Sequence, residues 1–159
     1  MRRELAVAVL FLHAVVPAHA DDAMTVARQF CAARLAGAPA ALHAMLSDDL
    51  RSIVEDALSR NDAIAGSSGA DAAPLKDGIP FASYTGGVTS CAPGGHSHAD
   101  NLDIVDIAYS AVDGAAWTDR LVLKPAGGAW WIDDILFASF PTDTYNGGLR
   151  RILADSFDQ

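Results

Sequence analysis

The sequence predicts an α+β fold, with N-terminal helices packed on a curved antiparallel sheet. Three observations carry this. Up to Leu58, apolar residues recur at three- and four-residue steps. From Val105 onward they alternate with polar residues in steps of two. Short runs rich in Gly and Pro separate the alternating stretches, and helices followed by strands is the order of an α+β domain.

The first helix is expected over residues 22–36, with Val26, Phe30 and Cys31 on one face beside Ala23, Ala27 and Leu35. Gly37 stops it, and Pro39 opens a short second helix carrying Leu42, Met45 and Leu46. Ser47 reads as an N-cap, because its hydroxyl can accept from an orphan backbone N–H, and Asp48 and Asp49 suit a positive helix start. Leu50, Ile53, Val54, Ala57 and Leu58 then keep helical spacing, and Leu50, Ile53, Val54 and Leu58 are expected to share a core with the inward face of the Val105 strand. This helix is expected to end before Gly66, leaving residues 66–74 as a flexible internal loop.

Val105, Ile107, Tyr109 and Ala111 alternate with Asp106, Ala108 and Ser110, which predicts a half-buried strand. Asp113-Gly114 supplies a turn. A second strand follows over 117–124, with Leu121 and Leu123 on one face. Pro125-Ala126-Gly127-Gly128 turns the chain into a third strand over 130–137. Pro141 ends the resulting three-stranded meander, and Leu149, Ile152 and Leu153 mark a short C-terminal helix bearing Arg150 and Arg151.

Residues 1–20 have the three parts of a secretory signal peptide: Arg2-Arg3, an apolar run from Leu5 broken only by His13, and Ala18-His19-Ala20 as the cleavage motif. The run falls short of the roughly 20 residues a permanent anchor needs. No cysteine follows the cleavage site, so no lipidation is expected. The chain is therefore expected to be periplasmic or secreted, with no stable membrane insertion after cleavage and residues 21–159 as a single domain.

The chain is 51% hydrophobic and 19% charged, a globular balance. Its 11 Lys and Arg face 20 Asp and Glu. Without Arg2, Arg3 and Glu4 the net charge is about −10. That excludes nucleic acid as a partner, since basic residues must displace the counterions of the phosphate backbone. It favours a basic protein partner, with a small ligand as the other option. Cys31 and Cys91 form an even pair in an oxidising compartment, which favours one internal disulfide over two buried thiols or an intermolecular bridge.

The segment Gly127-Gly128-Ala129-Trp130-Trp131-Ile132-Asp133-Asp134-Ile135 closes the sheet. With the element order it resembles small exported bacterial domains of unknown function that have a nuclear transport factor 2-like, cystatin-like cone fold. In that group a glycine turn commonly precedes Trp-x-Ile-x-x-Ile, which here is Trp130, Ile132 and Ile135. The late Leu149-Arg150-Arg151-Ile152-Leu153 is similar to the ending of such domains. The resemblance implies a cone that hosts isomerases, dehydratases, binding modules and inhibitors alike, so it sets no chemistry.

The candidate catalytic residues are Asp133 and Asp134, with Asp106 and Tyr109 as partners, because enzymes of this fold often pair an Asp base with a Tyr or Asp donor. Adjacent strand residues point to opposite faces, so Asp133 and Asp134 form no dyad unless a bulge intervenes. His96, Ser97, His98 and Asp100 form the one metal-like cluster, since alternate residues of an extended segment share a face. Cys91-Ala92-Pro93-Gly94-Gly95 places it in a loop, the third ligand is missing, and no essential metal is expected. Trp117, Trp130, Trp131, Phe137 and Phe140 line either a pocket or the packed face of the sheet, and the adjacent Trp130 and Trp131 must diverge, which leaves one of them for an exposed patch. No nucleophile triad, phosphate-cradling glycine loop or dinucleotide fingerprint is legible, and no cofactor is expected. Two functions follow: a non-enzymatic binding protein, of which an inhibitor or immunity-type protein is one form, or a small-molecule isomerase, dehydratase or hydrolase using a cone carboxylate.

Overall fold

The computed structural model describes residues 22–83, 87–138 and 147–158. The expected signal peptide, Phe140 and Pro141 lie outside the described residues. Helices α1 (Ala23–Leu35), α2 (Pro39–Ala44) and α3 (Asp48–Ser68) precede the strands β1 (Val88–Ala99), β2 (Leu102–Ala111), β3 (Ala116–Ala126) and β4 (Ala129–Leu136), and α4 (Leu149–Asp155) follows. The strands form one antiparallel sheet in sequential order β1-β2-β3-β4. The α+β class and the curved antiparallel sheet thus stand, with one strand more than expected.

Local chemistry sets each boundary. Asp22 caps α1 by accepting from the Thr25 N–H at 2.6 Å. Gly37 stops it with φ of 60°, a conformation that a residue bearing Cβ adopts at a cost. Pro39 stands at the first turn of α2. Ser47 caps α3 through the Leu50 N–H at 3.2 Å, as its sequence position indicates. Helix α3 does not end before Gly66 but runs to Ser68, and the loop expected from residue 66 is helix there, then a short 3₁₀ turn (Ala70–Ala72). One Gly inside a helix costs only about 1 kcal/mol, which a long helix tolerates. The stop is Gly69, at φ of 92°. Beyond it, the buried Asn61 accepts from the Leu75 N–H at 2.8 Å and holds the returning chain on α3.

Strand β1 corrects the expectation of a loop at residues 91–95 and of a three-stranded meander. Its residues show no apolar alternation, because β1 is an edge strand with most side chains in solvent. A register shift between Pro93 and His96 absorbs Gly94 and Gly95, and the missing N–H of Pro93 is tolerated at an edge. The β3–β4 connection is the two-residue turn Gly127-Gly128, both at positive φ, which matches the twist of a hairpin.

The inner face of the sheet presents Val105, Ile107, Leu121, Leu123, Ile132 and Ile135, all fully buried. They share one core with Phe30, Leu46, Leu50, Val54, Leu149 and Leu153 from the helical layer. Leu50 and Val54 are fully buried, whereas Ile53 and Leu58 are half-buried against the edge of that core. Backbone hydrogen bonds fasten the α2–α3 junction to β4: Ser47 N–H to the Ile132 carbonyl at 2.8 Å, and Ile132 N–H to the Met45 carbonyl at 2.9 Å. Cys31 of α1 and Cys91 of β1 are joined in a disulfide, so the expected internal bridge is present.

Candidate functional site

A bulge does intervene at Asp133 and Asp134. Val122 pairs with Asp134 and Leu123 with Ile132, so Asp133 is the extra residue. Both Ile132 and Ile135 therefore turn into the core, three positions apart, and the two carboxylates gather around Arg150. Asp133 Oδ1 accepts from Ser47 Oγ at 2.7 Å and from Arg150 Nη2 at 2.9 Å, while Arg150 Nε donates to the Asp133 carbonyl at 2.7 Å. Asp134 Oδ1 accepts from the N–H groups of Ile135 (2.8 Å) and Arg150 (3.2 Å), and so caps the start of α4. A Cβ on Gly148 would overlap the Asp134 carboxylate, so a larger residue there would displace it. Burial pushes the Asp134 carboxyl above its ordinary range, and hydrogen bonds from Arg150 and Ile135 oppose this only in part. The hydrogen bonds of this pair join β4 to the start of α3 and to α4.

Asp106 and Tyr109 do not meet. Asp106 is on the outer face of β2, where its carboxylate leans over Gly95, and Tyr109 is on the inner face. Tyr109 stacks on Trp117 with ring centroids 4.9 Å apart. Burial drives its phenol far above the ordinary value, the Asp119 charge adds to this, and Arg34 opposes it. A phenol held so high is poorly matched to proton transfer near neutrality. Its hydroxyl and the neighbouring Nε of Arg34 are both buried, and neither makes a hydrogen bond of normal geometry among the described residues.

Asp119 is 1% exposed and was missed from sequence. It accepts from the Ser83 N–H (2.9 Å), the Ser83 hydroxyl, the Ala138 N–H (2.9 Å) and Trp117 Nε1 (3.3 Å). Its parity with Leu121 and Leu123 on β3 is the signal that could have revealed it. Asp103 was missed for the same reason: it continues the inward series of Val105, Ile107 and Tyr109.

Asp103, not Asp100, joins the two imidazoles of the hairpin. Asp100 holds φ of 55° in the β1–β2 turn, a left-handed position that Asp tolerates better than most residues. His98 lies opposite Asp103 in the β1–β2 register, and His96 is its diagonal neighbour. His98 Nδ1 is 2.6 Å from Asp103 Oδ1, and His96 Nε2 is 3.0 Å from Oδ2. Among the described residues no group of three or more His, Cys, Asp or Glu is arranged to hold a metal ion.

The hydrogen bond to Asp103 raises the His98 pKa above its ordinary value. Burial of Asp103 opposes its ionisation, but the bonds from His98 and His96 outweigh that and its carboxyl titrates below the ordinary range. The sign follows from linkage. The raised His98 stabilises the fold fully below about pH 6.5 and loses this as pH rises through its folded pKa. The lowered Asp103 contributes above about pH 3.9 and loses this as pH falls through its folded pKa. Proton NMR titration is expected to place His98 above 6.5, and Asp103→Asn to bring it back down. An unshifted His98 in the unmodified protein would contradict the bracket.

Trp130 and Trp131 diverge, as neighbours on a strand must. Trp130 packs against the core, whereas Trp131 donates from Nε1 to the Ala126 carbonyl at 3.1 Å beside a shallow hollow with Ser47, Asp48 and Lys124. Neither is an exposed patch; the exposed large apolar side chains among the described residues are Leu35 and Val112. Phe137 is buried in the core. No helix among the described residues is long and apolar enough to cross a membrane. Neither a protein-family model, nor a curated protein, nor a solved structure matches this chain.

Proposed function

We propose that this chain is an exported, acidic, non-enzymatic binding protein of the bacterial envelope, on a nuclear transport factor 2-like cone, and that it engages a basic protein in the manner of an inhibitor or immunity protein. The observation that carries the reading is how the inner carboxylates are used. Asp119 accepts four hydrogen bonds within the chain, and Asp133 and Asp134 clasp Ser47, Arg150 and the start of α4. The apolar side chains of the sheet's inner face pack against the helices. The acidic charge supports a basic partner, and the disulfide supports an oxidising compartment. Four antiparallel strands behind a helical layer support the cone.

The bulged pair Asp133 and Asp134 favours a second reading, a cone-carboxylate enzyme, because Asp134 is raised by burial beside a second carboxylate. One experiment separates the two. Association with basic envelope proteins, measured kinetically on the purified partner, is expected to slow as salt rises, since exposed charges are screened over about 8 Å at physiological ionic strength. A substrate screen run alongside is expected to show no turnover that Asp133→Asn or Asp134→Asn abolishes. Turnover lost in either variant would replace the binding reading with the enzyme.

A further inference from the structure

A cavity of about 670 Å³ opens on the helical side of the molecule, between the end of α1, helices α2 and α3, and the chain around Phe81. Among the described residues no strand residue lines it, so it is separate from the inner face of the sheet. We propose that this cavity binds a small amphipathic carboxylate, with the head group on Arg34 and the apolar body along Leu42, Val54, Leu58 and Phe81. The site goes beyond the partner reading above, since nothing in the attraction of a basic protein uses Arg34.

The volume lies within the range that takes a drug-sized ligand, and a mostly apolar wall with a few polar groups is the usual make-up of such sites. Leu42, Val54 and Phe81 are buried side chains that also belong to the core, so the wall is built on rigid elements. Arg34 lines the cavity and makes no ion pair among the described residues. Its guanidinium is a planar cation, and its buried Nε makes no hydrogen bond of normal geometry among the described residues. The Tyr109 hydroxyl lies against Arg34 and is itself uncharged, so it does not balance the guanidinium.

The half-buried guanidinium makes no ion pair among the described residues, so an anion entering the cavity can take that place. The carboxylates at the cavity do not serve. Glu55 is 61% exposed and lies 3.8 Å from His43, Asp77 is exposed, and neither forms an ion pair with Arg34. A carboxylate matches the planar fork of a guanidinium, and an apolar tail matches the wall.

The test uses decanoate, decylamine and decanol below their micelle concentrations, titrated calorimetrically into the full mature protein. Decanoate is expected to bind measurably tighter than either analogue. Arg34→Gln is expected to weaken it roughly ten- to hundredfold, the scale of a hydrogen bond to a charged group. Arg34→Lys should restore part of that loss. Leu58→Trp, which fills the half-buried wall without touching the head group, is expected to weaken all three ligands alike. Circular dichroism and thermal unfolding show which variants are folded, and Leu58→Trp keeps the proposal testable if Arg34→Gln is not. Absence of decanoate binding, equal binding of the amine or the alcohol, or unchanged affinity in a folded Arg34→Gln would overturn it.

Discussion

Replacing Cys31 and Cys91 together by alanine is expected to lower stability by about 4 kcal/mol, and the loss should be greatest at β1. The bridge spans 60 residues, and cross-linking a loop of that length removes about 4 kcal/mol of chain entropy from the unfolded state. Its Cα atoms lie 5.2 Å apart, within the usual range for a disulfide, so the native backbone accommodates it. The position sharpens the expectation. Strand β1 is an edge strand whose Thr, Ser, Ala, Pro, Gly and His side chains contribute little burial, so pairing with β2 and the tie to α1 are its principal attachments. Urea denaturation of the wild type and the double variant measures the total. Amide exchange then localises it: residues 88–99 should lose protection first, while β2 to β4 stay protected. A change below about 1 kcal/mol, or loss spread evenly over the sheet, would show that β1 is held by other means.

The same contrast explains what was legible in the sequence. Elements with an apolar face could be read directly: Phe30 and Cys31 on α1, Leu50 and Val54 on α3, and the alternating runs of β2, β3 and β4. Strand β1 could not, because an edge strand with one solvated face writes no alternation, and Pro93-Gly94-Gly95 reads as a turn until the bulge that accommodates it is seen. The end of α3 was misplaced because Gly66 and Gly69 look alike in sequence, and only backbone conformation distinguishes a tolerated glycine from a terminating one. For the candidate site the limit is different. Asp119 and Asp103 sit at inward positions that parity alone indicates, yet an inward Asp is recognised only when its donors are known. Arg34 writes no such signal, for its neighbour Tyr109 is 75 residues away and belongs to another layer. The bulge at Asp133 stands in the sequence only as a condition for Asp133 and Asp134 to come together, because strand parity alone sends neighbours to opposite faces.

Asp119→Ala is expected to cost about 2–5 kcal/mol, because it leaves buried backbone donors without an acceptor at about 1–3 kcal/mol each. Those donors are the Ser83 and Ala138 amides, with the Ser83 hydroxyl and the Trp117 indole adding to them. One side chain of β3 thus ties down both the chain that leads toward β1 and the chain that leaves β4. Asp119→Asn keeps one acceptor oxygen and turns an NH₂ toward the other pair of donors, so its cost should fall between wild type and Ala. Asp62→Ala, at an exposed position on α3, is the control and should stay within about 0.5 kcal/mol of wild type. Thermal and urea unfolding give the sizes, and amide exchange at Ser83 and Ala138 should accelerate in step with them. The comparison also bears on function. A structural carboxylate loses stability in the order Asn, then Ala, with no separate effect on any chemistry. A catalytic one would leave Asp119→Asn near wild-type stability while abolishing turnover, and that pattern would move the enzyme reading from the β4 bulge to the inner face of β3.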